Sequence, residues 1–204
     1  MIKKVYPWIG EELYIFKLKS GMEVHVMPKP APFYSTYVEV SIPYGALDLI
    51  FEQGGRIHET PYGTAHFLEH KMFAMPEGDA FAQFSKLGVE ANAMTSYNQT
   101  SYLFQSTENF DDALTHLLRM LDTPHFIEAE IEKEKLIIGE ELKMYLDQPK
   151  AQMQNELMEM LYFNHPLKYD IGGTLDSIMN VNKDTLDLVY QAFYHPKNRL
   201  MVIA

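Results

Sequence analysis

Behind Asn109, expected to cap a helix, the chain places Phe110, Ala113, Leu114, Leu117, Leu118 and Leu121 at helical spacing. Such a helix is apolar on one side only, so it must lie on a broad apolar partner. The sequence supplies one. Short β-rich runs are expected from Leu13 to Lys19, Glu23 to Met27, Tyr34 to Pro43, Glu90 to Ser96, Ser101 to Ser106 and Arg199 to Ala204, several bounded by polar or glycine-containing turns. Further helices are expected from Thr60-Pro61 to Phe73, Asp79 to Leu87, Ile127 to Asp147 and Lys150 to Phe163, with a last one opened by Asn182. The stretch Ala46 to Glu59 reads as loop. Strands at the start, middle and end with helices between them predict an α+β two-layer sandwich, one mostly antiparallel sheet with helices packed on one face. No repeat or Gly/Ser linker interrupts the 204 residues, so they read as a single domain, 1–204.

Composition narrows the chemistry. Cysteine is absent, which removes disulfides, thiolate metal sites and a cysteine nucleophile. A net charge of −11 argues against nucleic acid as a partner. The longest unbroken apolar run, Leu200 to Ala204, is far too short to cross a bilayer. Glu11 and Glu12 follow the basic Met1 to Lys4 before an apolar signal core can form. The expectation is a cytoplasmic protein. Any metal it binds must be held by His, Asp or Glu.

His66-Phe67-Leu68-Glu69-His70 is the segment that carries chemistry. On a helix, positions i and i+4 lie about 40° apart, so both imidazoles point the same way, one turn from each other. Two histidines so placed can share one Zn²⁺. Glu69 falls to one side of them, the mirror of its place in H-E-x-x-H, which is the inverzincin order. Phe67, Leu68, Met72 and Phe73 surround the group, unlike a merely solvated face. A third ligand is still needed. On the helix from Ile127, Glu134 and Glu141 fall within about 40° of the stripe formed by Ile127, Ile131, Ile138 and Tyr145, whereas Glu140 lies about 140° away toward solvent. Carboxylates inside an apolar stripe need compensation, either from a lysine or arginine reaching over it or from a metal with its histidines. The remaining histidines, His25, His58, His116, His125, His165 and His195, form no second pattern of this kind.

His66-x-x-Glu69-His70 followed by Glu134-x6-Glu141 resembles the pitrilysin/insulinase family of zinc metallopeptidases, and Lys71-Met72-Phe73 after His70 resembles most of all its bacterial processing-protease-like members related to mitochondrial processing peptidase. Gly88 to Ser96, Thr100-Ser101-Tyr102 and Phe193-Tyr194-His195-Pro196-x-Asn198 extend the similarity over essentially the whole chain. The resemblance implies that His66, His70 and Glu141 hold one Zn²⁺ per domain, that Glu69 is the general base, and that Glu134 supports a ligand histidine. It also implies that Asn92 and Ala93 lie on a strand edge that receives peptide substrate. Leu87-Gly88 stands where many relatives have Gly-Gly. The implied function is a zinc-dependent endopeptidase acting on peptides or unfolded polypeptides, in a bacterial protein. Family members close two or more such domains around the substrate. The chain therefore resembles the N-terminal metal-binding half, whose partner, a C-terminal domain or homologous subunit, contributes an Arg and a Tyr. In isolation such a half is expected to be weakly active or inactive, and prone to form homo-oligomers. Two other readings compete: a non-catalytic substrate-binding or scaffold half, and a structural module with its zinc fully ligated.

Overall fold

A computed structural model describes residues 1–204. Its main sheet joins β1 (Ile2–Tyr6), β2 (Glu11–Lys17), β3 (Glu23–Val26), β4 (Thr36–Ile42), β9 (Glu90–Thr95), β10 (Thr100–Ser106) and β11 (Leu200–Ile203) in the order β1-β2-β3-β11-β4-β10-β9. Only the β3–β11 pairing is parallel. The expected α+β sandwich with a mostly antiparallel sheet is therefore the fold of this chain.

Alternation along the central strands sets the two faces. Val38, Val40 and Ile42 of β4 are inaccessible, while Tyr37, Glu39 and Ser41 between them are only half-buried. Tyr102 and Phe104 of β10 join the buried side, and the helices lie there. They are α1 (Thr64–Met72), α2 (Ala80–Lys86), α3 (Phe110–Asp122), α4 (Glu128–Leu146), α5 (Pro149–Leu161), α6 (Leu175–Ile178) and α7 (Lys183–Phe193). In α3 the predicted apolar face buries Ala113, Leu117 and Leu121. Each large side chain so buried stabilises the fold by about 1.5–3 kcal/mol.

Several local expectations are corrected. Ala46 to Glu59 is not all loop: β5 (Ile50–Gln53) and β6 (Arg56–Glu59) form a hairpin. Gly54 and Gly55, both at positive φ, make its two-residue turn. Polar and apolar residues mix along both strands, so no alternation marked them. Most of the basic N-terminal segment enters the sheet in β1 (Ile2–Tyr6), where Lys3 reaches Glu12 at 2.8 Å. Helix α1 starts at Thr64 rather than at Thr60-Pro61, because Gly63 turns the chain in a left-handed conformation at φ 84°. Asn109 also precedes its helix in a left-handed conformation, and instead of capping α3 its side chain donates to the Leu87 carbonyl at 2.9 Å. A short pair, β7 (Ala74–Met75) and β8 (Gly78–Asp79), links α1 to α2. Helix α6 carried no periodic signal.

Candidate metal centre

Two helices and one strand build the site. Helix α1 is pinned by Phe67, Leu68 and Met72, all essentially inaccessible, and this fixes the rotation that turns His66, Glu69 and His70 toward α4 and β9. Ile131 and Ile138 anchor α4 in the core. The same rotation half-buries Glu134 and Glu141 while Glu140 stays 75% exposed, paired with Lys143. Helix α4 thus turns Glu141 toward α1 and its sequence neighbour toward water.

His66 Nε2 lies 3.9 Å from Glu141 Oε1, and His70 Nε2 lies 3.5 Å from Glu141 Oε2. One donor atom from each of the three residues falls within 4.8 Å of the others. Tetrahedral zinc at about 2.0–2.1 Å from each ligand sets its donors roughly 3.3 Å apart, so small side-chain adjustments suffice. Two imidazoles and a carboxylate suit such an ion, and no lysine or arginine lines the cleft to compete for it. The donor set fits zinc.

Electrostatics sorts the two histidines. Burial, and then the neighbouring His70, push the His66 imidazole down to about 4, so at neutral pH it is uncharged with a lone pair to offer. Burial also acts to lower His70, but a hydrogen bond from its Nδ1 to Glu134 Oε1 at 3.1 Å outweighs this and holds its pKa above the usual value. The same contact leaves His70 Nε2 facing Glu141. Burial tends to raise the Glu134 carboxyl, yet His70 and Lys71 together hold it below the ordinary range. Lys71, nearly inaccessible, sits 3.7 Å from both Glu134 and Glu130. Burial lifts Glu69 above the ordinary carboxylate value, against the Thr95 hydroxyl that bonds its Oε2 at 2.5 Å.

A cleft of about 380 Å³ exposes His66, Glu69, His70 and Glu141 together with Ala93, Thr95, Tyr145, Asp170 and Gly172. Ala93 therefore borders the site directly. Asn92 lies on the other face of β9, exposed, and its side-chain oxygen accepts from the Ala93 N–H at 2.9 Å. Strand β9 is one of the two edge strands of the sheet, opposite β1. Glu134 lies behind His70, outside this cleft. Sequence reasoning missed Thr95, although it shares a strand face with Ala93 at period two, a signal that could have found it. It also gave Lys71 no role beside Glu134, and it missed the Asp170–Gly172 segment, which only tertiary packing brings to His66. His165 and His195 cap short turns, and His116 bonds the Ala80 carbonyl, in keeping with their ordinary reading.

The inverted His-x-x-Glu-His helix thus faces a distal glutamate beside one edge of the mostly antiparallel sheet. The profile of the family described as Insulinase (Peptidase family M16) matches residues 46–175. The chain belongs to that family. Over 207 residues it is 43% identical to the uncharacterized zinc protease YmfH of Bacillus subtilis, covering 100% of this chain and 48% of that protein. It superposes with a TM-score of 0.92, at 38% identity, on the crystal structure of an M16-like peptidase from Alicyclobacillus acidocaldarius, covering 100% of this chain and 47% of that one. The beta subunit of the mitochondrial-processing peptidase of Caenorhabditis elegans is 26% identical over 164 residues, 78% of this chain and 36% of that subunit. The chain thus spans about half the length of the first two and a smaller share of the third. No helix is long and apolar enough to cross a membrane.

Proposed function

We propose that this chain is the metal-binding half of a zinc-dependent endopeptidase that hydrolyses peptides or unfolded polypeptides. The observation that carries the reading is the convergence of His66 Nε2, His70 Nε2 and the Glu141 carboxylate, with Glu69 in the same cleft. His66, His70 and Glu141 would hold the ion. Zinc bound there supplies Lewis acidity, lowering the pKa of water and polarising a carbonyl. Glu69, in the same cleft, accepts the proton of the attacking water and returns it to the leaving amine. Glu134 fixes the His70 ring through Nδ1. A peptide adds to the β9 edge as a further strand, taking over from Asn92 the N–H of Ala93. Main-chain pairing of that kind favours extended, unfolded substrates over folded ones.

A C-terminal domain or homologous subunit completes the site. Support comes from α5, none of whose residues is buried: Met153, Leu157, Met160 and Leu161 stand exposed along it, an unusual outer surface for a domain working alone. The test compares wild type with Glu69→Gln in the protein that carries this chain together with its second domain. Glu69→Gln is expected to keep zinc and lose cleavage of an unstructured peptide. Undiminished cleavage by Glu69→Gln would overturn the reading. The 204-residue chain alone is expected to bind zinc yet cleave slowly or not at all, and turnover equal to the two-domain protein would contradict that.

A further inference from the structure

We infer that Thr95 is a positioning residue for Glu69, holding one carboxylate oxygen so that the other is aimed into the cleft. The inference rests on the role given to Glu69 above. Glu69 is 9% exposed, and its side chain makes a single hydrogen bond within the chain, the one its Oε2 accepts from the Thr95 hydroxyl at 2.5 Å. Its Oε1 has no protein partner, nor is it among the sealed polar atoms that lack one, so it stays open to the cleft that both residues line. A glutamate side chain with three free torsions would otherwise sample several orientations between His66, His70 and Glu141. Threonine suits the task because its branched Cβ restricts χ1 and stiffens the direction of the hydroxyl. The backbone beneath it is also fixed: Thr95 pairs with Thr100 of β10, whose own hydroxyl is tied to the Tyr44 carbonyl at 2.9 Å.

The position of Thr95 adds a consequence. It ends the same edge strand that carries Ala93, on the same face, two residues away. A peptide pairs with β9 through main-chain groups such as the Ala93 N–H, which loss of the Thr95 hydroxyl leaves in place. The docking edge and the hold on the base share one strand but use different groups of it. Loss of the hydroxyl should therefore lower kcat and leave KM nearly unchanged.

Thr95→Val keeps the branched shape and removes the hydroxyl; Thr95→Ser restores the hydroxyl on a smaller side chain. Both, with Glu69→Gln and wild type, are made in the full-length zinc-loaded protein. They are compared by crystal structure, zinc content and steady-state cleavage of an unstructured fluorogenic peptide. Thr95→Val is expected to lose about 10–100-fold in kcat, the scale seen when a supporting hydrogen bond is removed, with zinc retained and the Glu69 carboxylate rotated from its place. Thr95→Ser is expected to recover most of the rate and the original carboxylate position. Three results would each overturn the inference: wild-type kcat in Thr95→Val, a Thr95→Ser as slow as Thr95→Val, or an unmoved Glu69 in the Thr95→Val structure. Full cleavage by Glu69→Gln would instead remove the proposed function beneath it, leaving the carboxylate position to decide the clamp on its own.

Discussion

Replacing Gly173 by alanine should cost far more stability than the methyl group suggests. Gly173 has φ +82°, and a Cβ there would lie 2.5 Å from the Tyr62 carbonyl oxygen, 2.7 Å from its carbon and 2.8 Å from the Gly63 nitrogen. All three are backbone atoms, so no side chain can swing away. Gly63 is locked reciprocally, since its own Cβ would run into the Gly172 carbonyl oxygen. This junction seats the loop bearing Asp170 and Gly172 over His66, at the start of α1. The left-handed backbone costs alanine about 1–2 kcal/mol, and forced overpacking adds about 1–3 kcal/mol, a loss of roughly 2–5 kcal/mol. Gly54→Ala isolates the first contribution: Gly54 has φ +61°, and an added methyl there would meet nothing within 4 Å, so it should lose only about 1–2 kcal/mol. Urea unfolding of the metal-free protein, followed by far-ultraviolet circular dichroism, measures both. Equal losses in the two variants would refute the argument that backbone contact, rather than φ alone, governs this junction.

Other consequences concern the metal. Glu141→Gln should abolish stable zinc binding, whereas Glu140→Gln, on the solvent side of the same turn, should leave it intact; equilibrium dialysis distinguishes them. Glu134→Gln should weaken zinc by about 10–100-fold, the usual effect of losing a carboxylate that orients a ligand histidine, with folding retained on circular dichroism. The pH dependence follows from the two imidazoles. His66, held down to about 4, needs no proton removed at neutral pH, whereas His70, held above its usual value by Glu134, must release one when the metal binds. Zinc affinity should therefore fall about tenfold per pH unit as pH drops below the His70 pKa. Glu134→Gln should shift the onset of that fall to lower pH. Calorimetric titration in buffers of different ionisation enthalpy would detect the released proton.

Much of this site was legible in the sequence because helical periodicity is a local property. The spacing of His66 and His70 set their common direction. The stripe through Ile131 and Ile138 placed Glu141 inward and Glu140 outward before any tertiary contact was known. Legibility ended where distant segments meet. Nothing local in Asp170-Ile171-Gly172-Gly173 says that the glycines interlock with Gly63, and Thr95 meets Glu69 only because β9 packs beside α1. The hairpin of β5 and β6 was overlooked for another reason: Gly54-Gly55 is a strong turn signal, but its flanking strands lack the alternation that would have named them. Asn109 shows how one residue type serves two ends, since its tolerance of a left-handed backbone, rather than capping, explains its place before α3.

Anomalous diffraction at the zinc edge, from crystals of this chain grown with the metal, shows where the ion sits. One strong peak per chain is expected, coordinated by His66 Nε2, His70 Nε2 and a Glu141 oxygen, with Glu134 on His70 Nδ1 and outside the coordination sphere. A peak elsewhere, or zinc bound between the two histidines with Glu141 turned to solvent, would contradict it.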